Sequence, residues 1–127
     1  MLGGARAITP EYIESLVSVD YSRDMALAAT TMLGGGETLI GVARYVRDKH
    51  EQSAEFALVV ADSWQGRGIG RRLLAKLIEA GRRRGLKRLH GEILATNRPM
   101  LELARALGFE LVRHEDPTIT RALLDLR

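Results

Sequence analysis

The segment 54–95 constrains the fold of this chain more than any other. An apolar run, Phe56-Ala57-Leu58-Val59-Val60-Ala61, passes through the glycine-rich turn Gln65-Gly66-Arg67-Gly68-Ile69-Gly70 into a basic segment. There Leu73, Leu74, Leu77 and Ile78 form an apolar stripe at helical spacing, which predicts a helix ending near Gly85. Residues 86–95 then alternate, with Leu89, Gly91 and Ile93 on one side and Arg88, His90 and Glu92 on the other, as a strand does. Two strands joined through a helix of this length pair in parallel, with a right-handed crossover. A strand that runs through glycines into a helix also gathers unpaired backbone N–H groups and the positive end of the helix dipole at one point. That point suits a phosphate.

The flanking sequence fills in a sheet around this unit. Thr9-Pro10-Glu11 supplies a capping hydroxyl, a proline for the first turn and an acid, and Tyr12, Ile13, Leu16 and Val17 follow at helical spacing, which predicts a short helix ending near Val19. Residues 25–33 and 38–46 read as an antiparallel hairpin turning on Gly34, Gly35 and Gly36. Residues 54–61 are apolar almost without interruption, which implies a strand buried on both faces. Asn97-Arg98-Pro99 begins a helix over 100–107 that Gly108 stops, and strands at 109–113 and 119–126 flank an Asp116-Pro117 turn. The expectation is an α/β fold: a mixed, mostly antiparallel sheet of about six strands, with helices on both faces and a central parallel strand pair.

At 127 residues the chain has the size of a single domain, 1–127. It contains no cysteine, which excludes disulfides and thiol nucleophiles, and its three histidines are scattered without metal-ligand spacing, so no metal is expected. The first residues lack an apolar signal core and no apolar run approaches the roughly 20 residues of a membrane span. The chain therefore reads as cytoplasmic, with no membrane partner. Net charge is +3, and basic residues cluster between Arg67 and Arg88. Arg82-Arg83-Arg84 suit a solvated helix C-terminus, where cations favour the dipole. With one tryptophan, three tyrosines and two phenylalanines there is no basic-aromatic interleaving, so nucleic acid is not an expected partner. A compact polyphosphate fits better.

A short glycine pattern alone is weak, and its context decides what it serves. Arg71-Arg72 follow Gly70 where a nucleotide-binding P-loop would have lysine and a hydroxyl residue, so no magnesium ligand is supplied. The dinucleotide pattern is also a poor match, because the glycines fall at 66, 68 and 70, in mid-chain after a hairpin.

The residues Val60-x-Asp62-x-Trp64-Gln65-Gly66-Arg67-Gly68-Ile69-Gly70, then Asn97, then Leu103-Ala104-Arg105-Ala106-Leu107-Gly108-Phe109, resemble the acetyl-CoA-binding region of the GNAT acetyltransferase superfamily. The likeness is closer still to the catalytic domain of bacterial protein lysine acetyltransferases of the Pat type. It covers roughly residues 7–126 and includes Ala54-Glu55-Phe56-Ala57 and Asn97-Arg98-Pro99-Met100. The resemblance implies acetyl-CoA as co-substrate. Its pyrophosphate would lie on the turn (Gln65, Gly66, Arg67, Gly68, Ile69, Gly70, Arg71), its pantetheine arm along Leu58, Val59 and Val60, and Asn97 would add a hydrogen bond. It also implies Glu55 as general base, with Glu92 the alternative. The partner it implies is a protein with an acceptor lysine, acyl-CoA synthetases being one such class. A small amine or a protein N-terminus is the alternative acceptor, and a module that senses acetyl-CoA without transferring it is a reading of a different class.

The sequence departs from the family pattern twice. Ala104 stands where many members carry a tyrosine that protonates the departing thiolate. The strand and helix that usually precede the region of Thr9 are missing, so the domain is expected to be N-terminally shortened, with the strand at 25–33 an exposed edge that a short helix of its own, a second copy of the chain or a partner protein must mask. A homodimer is one such expectation. His90, His114 and Trp64 read as surface or packing residues.

Overall fold

The structure, a computed structural model, describes residues 5–6, 15–20, 24–49 and 52–127. Its strands are β1 (Ala5–Arg6), β2 (Ser15–Asp20), β3 (Asp24–Leu33), β4 (Gly36–Arg47), β5 (Ser53–Val60), β6 (Arg88–Leu94), β7 (Glu110–Arg113) and β8 (Ile119–Asp125). Its helices are α1 (Ile69–Arg83) and α2 (Arg98–Ala106). The strands form one sheet in the order β1-β2-β3-β4-β5-β6-β8-β7. Every neighbouring pair is antiparallel except β5–β6, the expected parallel pair. All six strands read from the sequence are present.

The first difference lies at the N-terminal side. Of the helix expected over 9–19, residues 9–14 fall outside the described residues, and Ser15–Asp20 is a strand. It pairs antiparallel with β3 from Ser15↔Thr30 to Asp20↔Met25, so β3 is not the exposed edge that was expected. A helix of one face and a few turns is marginal by itself. The ten-residue β3 offers a ladder of unpaired N–H and C=O groups, and Val17 and Val19 suit a strand. Tertiary pairing outweighs local spacing here. The edge argument for a dimer no longer applies.

The hairpin of β3 and β4 turns on Gly34 and Gly35, both in the left-handed region (φ 58° and 82°), as a tight two-residue connection requires. One sheet face then receives both helices. The buried residues of α1 include Ile69, Leu73, Leu74 and Leu77. Leu73 and Ile69 lie so close over Gly41 of β4 that a Cβ there would stand 2.9 Å from Leu73 Cδ1. Phe56 of β5 meets Phe109 beyond α2, with ring centroids 5.0 Å apart. Both helices end the same way. The Leu86 N–H donates to Gly81 O and the Gly85 N–H to Arg82 O; the Phe109 N–H donates to Ala104 O and the Gly108 N–H to Arg105 O. Each is a glycine-terminated cap that drops the next apolar residue, Leu86 or Phe109, into the core.

Among the described residues no helix covers the other face. The expectation that β5 is buried on both sides is therefore wrong. Ala54 and Phe56 are buried, whereas Glu55, Ala57 and Val59 are exposed, Val59 by 68%. An unbroken apolar run does not distinguish a two-faced core strand from one whose outer face awaits something else. No described helix is long and apolar enough to cross a membrane.

Candidate active site

The sheet splits at its parallel pair. β5 and β6 pair only through Ser53↔Arg88, Ala54↔Leu89 and Glu55↔His90. Beyond that point β5 continues to Val60 along β4, while β6 continues to Leu94 along β8. The Phe56 ring sits against Gly91 at the start of the split, where a Cβ would come within 2.6 Å of Phe56 Cε1. Only glycine lets the ring lie there. The β6-facing side of β5 past Glu55 therefore lacks a strand partner, and the split leaves its backbone groups available.

The glycine turn closes the end of this gap. After a 3-10 turn at Asp62–Trp64, the Gln65 side chain reaches back and its Nε2 donates to Val60 O at 3.0 Å, holding the turn on the end of β5. Gly66 (φ 79°) and Gly68 (φ 84°) both take the left-handed conformation, and Gly68 is the residue from which α1 starts. The first intrahelical bond runs from Arg72 N to Gly68 O, so the N–H groups of Ile69, Gly70 and Arg71 have no partner within the helix. No acid occupies the first turn of α1, and Arg71 and Arg72 stand there instead. Cations at a helix N-terminus oppose the dipole unless an anion joins them.

A cleft of about 300 Å³ lies at this point, lined by Leu58, Val60, Gln65, Gly66, Gly68, Gly70, Arg71 and Asn97, together with Pro99, Met100 and Leu103. Eight of the residues singled out in the sequence are thus brought together. The side chains of the other three do not line it: Ile69 is 1% exposed and faces the core, Val59 lies on the opposite sheet face, and Arg67 stacks over Trp64, its guanidinium carbon 4.7 Å from the ring centroid. The floor at Gly70 is tight, because a Cβ there would be 3.4 Å from Leu58 and Leu103 side chains. Asn97 caps α2, its Oδ1 accepting from the Met100 N–H at 3.3 Å, and its amide nitrogen remains for a ligand in the cleft. An extended acyl carrier with a pyrophosphate fits these residues: free N–H groups and Arg71 for the anion, Leu58, Val60 and Met100 for an apolar arm.

On the opposite face a second cleft of about 330 Å³ opens beside the same split, and Glu55, His90, Glu92 and Arg121 help line it. Both carboxylates named from the sequence are here. Glu55 is the last residue of the parallel pairing, on the exposed face, and has no hydrogen bond or ion pair among the described residues. Of the two histidines set aside in the sequence, His90 lines this cleft and His114 reaches it through Glu92, each against a carboxylate. His90 Nε2 lies 2.8 Å from Asp48 Oδ2, which also accepts from Ser53 Oγ at 2.6 Å, and His114 Nε2 lies 3.0 Å from Glu92 Oε2. The Ser53 hydroxyl, and then His90, hold the Asp48 carboxyl below its ordinary range against the opposing effect of burial. Spacing along one strand could not reveal these pairs, because their partners come from the turn after β4, from β6 and from the segment after β7. Among the described residues no group of histidine, aspartate and glutamate side chains could hold a metal.

With this geometry in view, the chain's likenesses can be placed. It is 34% identical over 116 residues to an acetyltransferase of Pseudomonas aeruginosa, covering 91% of this chain and 61% of that protein. It is 34% identical over 111 residues to the acetyltransferase Pat of Mycolicibacterium smegmatis, covering 87% of this chain and 33% of that protein. The structure resembles the GNAT domain of S. lividans PAT with a TM-score of 0.72 at 28% identity, covering 86% of this chain and 64% of that one. The chain thus spans about three fifths and one third of the two sequence relatives. The model of the Acetyltransferase (GNAT) family matches residues 9–109, and the chain belongs to that family.

Proposed function

We propose that this protein transfers the acetyl group of acetyl-CoA to an amine, most suitably a protein lysine side chain, with Glu55 as the general base. The observation that carries the reading is the split sheet, with an anion-binding helix start on one face and Glu55 at the fork on the other. When bound, acetyl-CoA supplies an activated acyl group as a thioester. The N–H groups of Gly70 and Arg71, with the Arg71 side chain, would hold its pyrophosphate, and the unpaired side of β5 would offer backbone groups to its arm. A lysine ε-amine has an ordinary pKa of about 10.4 and is protonated at neutral pH, so it must lose a proton before attack. Glu55, solvent-exposed and uncommitted, accepts that proton and returns it to water. The amine nitrogen then bonds to the acetyl carbon while the carbon–sulfur bond breaks. Residue 104 is alanine and fully buried, so no phenol is available there and water protonates the thiolate.

A protein lysine as acceptor is supported by the likeness to Pat-type enzymes and by an open, charged cleft on the acceptor side. The test is to incubate the protein with acetyl-CoA and a panel of proteins, peptides and polyamines, following free thiol and acceptor mass together. Acetylated lysine with matching thiol release is expected. Tight cofactor binding with no acceptor modified would overturn the reading in favour of a sensing module.

A further inference from the structure

Three carboxylates line the acceptor cleft; Asp48 is bound to Ser53 and His90, and the other two are held differently. Glu55 has no described partner, whereas Glu92 is fixed by a chain of hydrogen bonds that begins in the loop after β7. There Asp116 Oδ1 accepts from both the Thr118 N–H (2.9 Å) and the Thr118 hydroxyl (2.7 Å), which stiffens the turn. The Asp116 N–H donates to His114 Nδ1 at 2.9 Å. A backbone N–H can only donate, so Nδ1 is the acceptor nitrogen and Nε2 carries the proton. Nε2 then donates to Glu92 Oε2 at 3.0 Å.

This arrangement limits what Glu92 can do. Both ring nitrogens of His114 are committed, so the imidazole cannot take a proton from Glu92 and pass it on. What it does is orient the carboxylate. The His114 side chain is 20% exposed and the Glu92 side chain 47%, so the pair has a sheltered donor and an open acceptor. Oε1 has no partner among the described residues, and the side chain lines the same cleft as Glu55. Arg121 is the cross-strand neighbour of Glu92, yet no ion pair joins them.

We propose that Glu92, oriented by His114, is the receptor for the positive charge of the acceptor amine, while Glu55 removes its proton. The inference rests on the acyl-transfer reading above. It assigns the site a substrate class, amines that arrive as ammonium ions, and it makes His114 a positioning residue. No atom is transferred to Glu92. It attracts the ammonium group by charge and one hydrogen bond, and releases it as Glu55 takes the proton.

The test separates binding from chemistry. With an alkylammonium acceptor, Glu92→Gln and His114→Ala are each expected to raise KM about tenfold, the scale of a lost hydrogen bond to a charged group, with kcat changed less than about twofold. His114→Gln, whose amide can still donate to Glu92, should recover most of the loss. An aromatic amine, uncharged at neutral pH, should show no change in KM in any of these variants. Binding is also read without turnover, by titrating n-butylammonium and following the His114 ring signals by NMR. Saturable shifts in the wild type that disappear in Glu92→Gln are expected. A KM unmoved by both substitutions, a fall in kcat alone, or absence of n-butylammonium binding would overturn the proposal. A wild type that binds n-butylammonium but acetylates nothing would instead overturn the acyl-transfer reading and leave the cation receptor standing.

Discussion

Glu55 differs from the other acids near it by being uncommitted. Asp48 is bound to Ser53 and His90, and Glu92 to His114, whereas Glu55 stands at the fork of the sheet with no described partner. Its position before the glycine turn was legible in the sequence, but the difference between it and Glu92 was not. That difference depends on residues 22 positions apart meeting across β6, β8 and β7. Asp48 gives a separate prediction. Its carboxyl is held below the ordinary value in the fold, so its contribution to stability is present above the unfolded-state value and is lost as pH falls through the folded one. Asp48→Asn should therefore lower Tm at neutral pH and flatten the decline of Tm below about pH 4, measured by thermal melts across that range.

At the scale of elements, the glycines do three distinct kinds of work. Gly68 starts α1 in the left-handed region, so Gly68→Ala carries a strain of about 1–2 kcal/mol and should weaken acetyl-CoA binding by displacing the helix N–H groups. Gly70 keeps the cleft floor clear. Gly70→Val should reduce cofactor affinity at least tenfold by calorimetry, since its side chain would occupy the space between Leu58 and Leu103. Gly91 makes room for Phe56 at the fork. Gly91→Ala puts a Cβ within 2.6 Å of that ring and should cost about 1–3 kcal/mol, with Gly91→Ala plus Phe56→Leu losing less than the sum of the two singles. The turn, both helix stops and the Asn97 cap were readable because each depends on chemistry within a few residues. β2 was not, since its spacing suited a helix and only the ladder of β3 made it a strand. Amide exchange should accordingly be slow along residues 26–30, on the side of β3 that β2 covers.

The whole molecule is a sheet with unlike faces. One carries both helices, the core and the cleft proposed for the cofactor; the other exposes Val46 and Val59 and carries the charged cleft proposed for the acceptor. The asymmetry was hidden in the sequence, where the apolar residues of β5 gave no sign that alternate ones face outward. With the two clefts on opposite faces beside one split, the proposed function has acetyl-CoA and acceptor bound together. Initial-rate kinetics should then show intersecting patterns, and product inhibition by CoA should be competitive against acetyl-CoA only. The account stands most directly on Glu55 at the fork. With acetyl-CoA saturating and its affinity measured separately, Glu55→Gln should lower the rate of lysine acetylation by about 10²–10⁴ while cofactor affinity stays within twofold of the wild type. Unchanged acetylation in that variant would contradict the account.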